Sequence, residues 1–159
     1  MRIATAHGMH RRSLTHGMHP TTNTFSASML ENNVRIWWTT YIIERSLELL
    51  MGRPCQIRDE DIDRESATQI SGFPSCDGLQ AHVTLAMIMG QIVSQVFRPR
   101  KRRKQDIDNV MVSIRIWKET LPPQLKLTEG GYAMASQSVL LLHLLHNQVN
   151  LLVSGAKAS

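Results

Sequence analysis

Cysteine is scarce in this chain of 159 residues, which contains only Cys55 and Cys76. No C-x-x-C pair occurs, so we do not expect a structural zinc site built from thiolates, and we expect a reducing compartment. Aromatic residues make up 5% of the chain, charged residues 19% and hydrophobic residues 42%. This composition is typical of a globular protein, and the length suits a single domain spanning residues 1–159.

Long apolar runs are also missing from the sequence. No uninterrupted stretch approaches the roughly 20 residues that a membrane span needs, and the first residues, "MRIATAHGMHRR", lack the apolar centre of a signal peptide. The sequence therefore predicts an intracellular, soluble chain that makes no membrane contact.

Positive charge is concentrated in one segment, "RPRKRRK". Its six basic residues outnumber the formal net charge of +5 carried by the whole chain. These residues are Arg98, Arg100, Lys101, Arg102, Arg103 and Lys104. The rest of the chain is close to neutral, unlike a uniformly basic nucleic-acid binder. Three interpretations stay open for the segment: a solvated loop, a nuclear import signal, or non-specific attraction to phosphates.

Apolar residues recur at helical spacing along most of the chain, and no stretch alternates long enough to indicate a strand. The pattern predicts helices over residues 28–51, 79–97, 106–120 and 134–153, with a further helix end near residues 1–10. We expect an all-α, multi-helix bundle that is an incomplete version of a larger helical domain.

The first long helix carries adjacent tryptophans, Trp37 and Trp38. On a helical wheel these rings share an apolar face with Tyr41, while Ile36 and Ile43 belong to a second apolar face. A helix with two apolar faces is expected to be packed on both sides, so the sequence predicts that this helix is central in the bundle. We expect Trp37, Trp38, Tyr41 and Trp117 to be core anchors.

Arg45 falls within the tryptophan face, where a buried guanidinium needs a carboxylate or several carbonyls. Gly52 and Pro54 predict that the helix stops and the chain turns. An acidic segment follows the turn. The sequence therefore predicts a structural clasp formed by Arg45, Arg53, Asp59 and Asp61, and solvated charges are the alternative.

Catalytic motifs are missing from the sequence, including GxSxG, the P-loop and GxGxxG. The pairs His7–His10 and His143–His146 have a spacing of three, which can bind a metal ion. Core histidines are the more common outcome of this pattern, so we predict no catalytic residue, no metal ligand and no cofactor. The chain is not expected to be an enzyme.

The segment "RIWWTTYIIERSLELLMGRPCQIRDEDID", residues 35–63, resembles the signature of the fungal-specific transcription factor domain. This domain is the middle homology region of fungal binuclear zinc-cluster regulators of the xylanolytic-activator type. The segments "RIATAHGMHR", "IRIWKETLPPQL" and "LLLHLLHNQVNLLV" are similar to other parts of it. Glu44 stands where the family usually has Asp, and the six-cysteine zinc cluster is absent from this sequence.

The resemblance implies a regulatory region that modulates DNA-templated transcription in the nucleus. It also implies that DNA and zinc are bound only by the zinc-cluster domain of the full-length family. The partners that it suggests are transcriptional co-regulators, a small-molecule effector, or a second copy through self-association. The alternatives are a stand-alone helical interaction module and a truncated paralogue that does not bind DNA.

Overall fold

The computed structural model describes residues 27–52, 57, 59–62, 77–96, 104–127 and 135–158. Within these residues the protein has four α-helices and no strand, which confirms the all-α prediction. The helices are α1 (Ala27–Met51), α2 (Asp77–Gln91), α3 (Lys104–Thr120) and α4 (Gln137–Ala158). Three short elements are a 3₁₀ turn at Asp59–Asp61, a π-helical turn at Ile92–Val96 and a 3₁₀ turn at Pro123–Leu125.

Two of the helix ends follow directly from local sequence. Gly52 comes immediately after α1 and has a φ of +62°, a left-handed conformation that glycine adopts without the penalty of a Cβ. The two prolines after Leu121 end α3, and Pro123 begins the 3₁₀ turn that follows. The C-terminal end of the last helix differs from the prediction, because α4 runs to Ala158 rather than to residue 153.

The larger apolar core lies between α2, α3 and α4. Its most deeply buried members are Leu85, Met89, Ile92, Val110, Leu142 and Val149. Trp117 belongs to this core, and its indole N–H donates a hydrogen bond to the carbonyl of Ala81 at 2.9 Å. The bond satisfies the polar atom of a buried tryptophan and fixes α3 to α2.

The smaller apolar core lies between α1 and α2. Trp37, Trp38 and Tyr41 of α1 pack there with Val83 and Ala86 of α2. All three aromatic side chains are almost completely buried. Because α2 contributes to both cores, it is the helix around which the other three are arranged.

The position of α1 differs from the sequence expectation, because α1 packs mainly on α2 and its second apolar face is exposed to solvent. Ile36 and Ile43 are 54% and 55% exposed on that face. The helical wheel recognised both apolar faces correctly. It could not tell which face would find a neighbour, because that depends on residues distant in sequence.

Helix α4 also departs from an expectation drawn from the sequence. Between Gln137 and Lys157 it is long and apolar enough, by length and composition alone, to cross a membrane. The search for uninterrupted apolar runs missed it because His143, His146 and Asn150 interrupt the leucines. These polar side chains form hydrogen bonds within the chain, and Leu142, Val149 and Val153 are buried in the larger core. One side of α4 is therefore packed in the core, whereas Leu140, Leu141, Leu144 and Leu151 on its other side are exposed.

Candidate functional site: the Arg45 cluster

Arg45 is the most deeply buried charged residue in the part of the chain that the structure describes, with 1% of its surface exposed. Its Nη1 donates to Oε2 of Glu48 at 3.0 Å. Its Nη2 donates to Oδ1 of Asp59 at 2.7 Å and to the carbonyl oxygen of Ile57 at 2.6 Å. We call Tyr41, Arg45, Glu48 and Asp59 the Arg45 cluster.

The turn after α1 brings Asp59 back to the helix. Ile57 is buried and packs in the smaller core, which places the chain beside Tyr41 and Arg45. The 3₁₀ turn at Asp59–Asp61 follows directly, and Ile62 N–H donates to the Asp59 carbonyl at 3.2 Å. An apolar anchor and a local backbone turn therefore present the carboxylate of Asp59 to the guanidinium.

Tyr41 connects the cluster to the aromatic core. Its hydroxyl donates to Oδ1 of Asp59 at 2.6 Å, and the Arg45 guanidinium lies 4.9 Å from its ring centroid. Its ring also meets that of Trp38 edge-on, at a centroid distance of 5.5 Å. Burial, and after it the hydrogen bond to Asp59, raises the pKa of Tyr41 far above its ordinary range. Tyr41 therefore stays protonated and acts as a hydrogen-bond donor.

Glu48 is the partner that the sequence analysis missed. Its side chain is only 7% exposed, although it is a charged residue. Its spacing of three residues from Arg45 was a usable signal, because residues three apart on a helix are neighbours. Burial, and after it the charge of Glu48, raises the pKa of the nearby Glu44 carboxyl, whereas Arg45 acts in the opposite direction.

Gly90 of α2 forms the wall of the cluster. A Cβ at this position would lie 3.4 Å from Nε and 3.5 Å from Cζ of Arg45, and 3.6 Å from Oδ2 of Asp59. The backbone of α2 therefore packs directly over the guanidinium and the carboxylate. A residue with a large side chain here would displace one of the two groups.

The structure brings two of the four predicted clasp residues, Arg45 and Asp59, into direct contact. Asp61 lies in the same 3₁₀ turn. Arg53 and Pro54, which belong to the predicted clasp and turn, lie outside the described residues. The same is true of residues 98–103 of the basic segment, whereas Lys104 is the first residue of α3.

The histidines of α4 have structural partners. His146 stacks on Trp117 at a centroid distance of 5.1 Å, and its Nε2 accepts a hydrogen bond from the Asn150 amide at 3.0 Å. His143 donates through Nε2 to the Leu125 carbonyl at 2.8 Å. Burial, and to a smaller extent Lys118, lowers the pKa of His146. Among the described residues, no group of three or more His, Cys, Asp or Glu side chains is placed to hold a metal ion.

The chemistry of the Arg45 cluster is that of a structural network. A guanidinium keeps its charge at all physiological pH values, and Tyr41 keeps its proton because its pKa is raised. Neither group is suited to exchange protons with a substrate near neutral pH. The arrangement instead holds the segment after α1 against both α1 and α2.

Comparisons with known proteins point to transcriptional regulators of fungi. The chain is 29% identical over 130 residues to a transcriptional regulatory protein of Schizosaccharomyces pombe, covering 76% of this chain and 16% of that protein. A second such protein of the same yeast is 30% identical over 103 residues, covering 60% of this chain and 12% of the relative. Cutinase transcription factor 1 alpha of Fusarium vanettenii is 27% identical over 127 residues, covering 67% of this chain and 14% of the relative.

No family model and no solved structure matches the chain. The chain spans only 12–16% of the length of these relatives, so it corresponds to one part of a much longer protein in each case. Its homologues are fungal transcriptional regulatory proteins, and this relationship supports a role in the regulation of transcription.

Proposed function

We propose that the chain is the regulatory, middle homology region of a fungal zinc-cluster transcription factor and modulates DNA-templated transcription in the nucleus. The observation that carries the proposal is the homology to fungal transcriptional regulators along most of the chain. DNA and zinc would be bound by the zinc-cluster domain of the full-length family. The role of this chain would be regulation.

The Arg45 cluster shows what part of the segment that carries the resemblance does in the folded chain. The residues that carry the resemblance lie between Arg35 and Asp63, and all four members of the cluster lie in that interval. The cluster connects α1, the acidic turn and the backbone of α2 in one contact. These four residues of the segment therefore have a structural role in the folded chain.

The proposal can be tested with a reporter fusion in yeast. The chain would be inserted between a heterologous DNA-binding domain and a constitutive activation domain, with a nuclear import signal supplied by the fusion. A regulatory region is expected to change expression of the reporter several-fold relative to a fusion that carries a flexible linker of equal length.

Two variants make the assay specific to the folded chain. Arg45→Met should abolish the change in reporter expression, because it strands the charge of Glu48 inside the cluster. Thr84→Ala, at an exposed position of α2, should preserve the change. Immunoblots would establish equal amounts of each fusion. A reporter that responds equally to the chain and to the linker would overturn the proposal.

A further inference from the structure

The outer surface of α1 is inverted relative to an ordinary surface helix. The charged residues Arg45 and Glu48 are buried, whereas Ile36, Ile43, Leu47, Leu50 and Met51 are each about half exposed, between 47% and 61%. None of the exposed residues from Asn32 to Met51 carries a charge. A helix in water normally shows the opposite arrangement, with its charges outside. We call these five exposed apolar residues the α1 stripe.

The α1 stripe has the spacing of a helix-pairing seam. Four members of the stripe and the partly buried Thr40 follow one another at alternating steps of four and three residues: Ile36, Thr40, Ile43, Leu47 and Leu50. This is the a/d pattern with which one helix packs its side chains between those of another. The seam lies on the side of α1 away from α2, so a helix could pack there without disturbing the Arg45 cluster.

The exposed area of the α1 stripe suits a dimer. Five aliphatic side chains exposed by about half leave roughly 500 Å² of apolar surface, whereas a standard interface buries about 800 Å² per partner, of which about 60% is apolar. The stripe would therefore supply nearly the whole apolar centre of such an interface. The uncharged Asn32 and Thr39 and the partly buried charged residues Arg35 and Glu44 would lie towards its rim.

We propose that the α1 stripe is the interface through which two copies of this chain pair. A twofold axis places the same surface of each copy in contact, so the surface must be self-complementary. An uncharged stripe meets this condition because no like charges oppose each other at its centre. The exposed leucines of α4, Leu140, Leu141, Leu144 and Leu151, form the alternative surface that the control substitutions address. The pairing does not depend on the regulatory function.

The first test measures the mass of the purified full chain by analytical ultracentrifugation over a range of micromolar concentrations. The expected mass is twice that of one chain. Substituting both Ile43→Glu and Leu47→Glu should give one chain mass at every concentration, with the helical circular dichroism of the parent. The matched control, Leu144→Glu with Leu151→Glu on α4, should remain a dimer.

The second test does not require a disruptive substitution. Ile43→Cys, in a chain with Cys55→Ser and Cys76→Ser, should form a disulfide-linked dimer under mild oxidation. Thr84→Cys on the exposed side of α2 serves as the control and should stay uncrosslinked. A parent chain that remains monomeric at the highest concentration would overturn the proposal, as would association that survives the α1 substitutions or is lost in the α4 control.

Discussion

Replacing Arg45 with methionine gives a direct test of how the cluster stabilises the fold. Methionine has a similar length and no charge, so the substitution removes the guanidinium while keeping most of the packing. It leaves Glu48, whose side chain is only 7% exposed, without its cationic partner. Breaking a buried ion pair by removing one partner costs roughly 3–5 kcal/mol. This is a large part of the roughly 5–15 kcal/mol by which domains are stable.

Arg45 forms one ion pair with Glu48 and one with Asp59, and these two arms are expected to contribute unequally to stability. Asp59 is 41% exposed, so water can solvate its carboxylate when Arg45 is absent, and this arm is expected to contribute only about 0–1 kcal/mol as an ion pair. Glu48 has no such access to water. Arg45→Met should therefore cost far more than Asp59→Asn. We expect Arg53→Ala to lower stability less than Arg45→Met does. Asp61→Asn should lower stability only if Asp61 is a partner of Arg45.

The double substitution Arg45→Met with Glu48→Met distinguishes an ion pair from simple packing. Replacing a buried pair by apolar residues of similar volume is often neutral, whereas removing one partner is not. The double variant should therefore be more stable than Arg45→Met alone, although it contains one more substitution. No packing argument predicts a recovery of this kind.

The assay is urea unfolding followed by far-UV circular dichroism, at one fixed protein concentration because pairing of chains would add to apparent stability. The coupling free energies of Arg45 with Glu48 and with Asp59 follow from double-mutant cycles. Coupling below about 0.5 kcal/mol with both acids would mean that the charges act independently. A loss of less than about 1 kcal/mol for Arg45→Met would refute the reasoning in the same way.

Four further predictions concern other parts of the chain. Tyr41→Phe removes the hydroxyl that donates to Asp59 and should cost about 0.5–1.5 kcal/mol in urea unfolding, because the bond is lost while water can still solvate the exposed Asp59 carboxylate; no measurable loss would contradict this. Gly90→Ala should change stability by no more than about 1 kcal/mol, since its Cβ would lie at ordinary contact distance and the helix would gain propensity, whereas Gly90→Leu should be severely destabilised; equal effects of the two would count against it. Because the pKa of His146 is lowered on folding, the unfolded chain binds more protons below the usual histidine value of 6.5. Stability should thus fall as the pH decreases from 6.5 towards the lowered pKa, and His146→Gln should show a smaller fall between about pH 7 and pH 5; an identical fall would exclude His146 as the cause. Replacing residues 101–104 of the basic segment by alanine should reduce nuclear accumulation of a fluorescent fusion without changing its circular dichroism, and unchanged accumulation would refute the import role.

Local sequence was sufficient to predict the fold class and the elements of the fold. The period of the apolar residues indicated all four described helices, and Gly52 marked the end of α1 because its positive φ is costly for residues with a Cβ. Burial of the tryptophans followed from their place on an apolar face. The demand of Arg45 for a carboxylate also followed from the wheel, since an unpaired charge cannot remain on a buried face.

Only the tertiary structure decided which carboxylates pair with Arg45 and which helix lies at the centre of the bundle. A helical wheel gives the direction of each side chain but does not identify the residue that packs against it. Glu48 is buried beside Arg45, and Gly90 of α2, far along the chain, packs against Arg45 and Asp59. For the same reason α2 became the central helix while the second face of α1 stayed exposed. Each outcome depends on contacts between residues distant in sequence, whose geometry the local pattern does not contain.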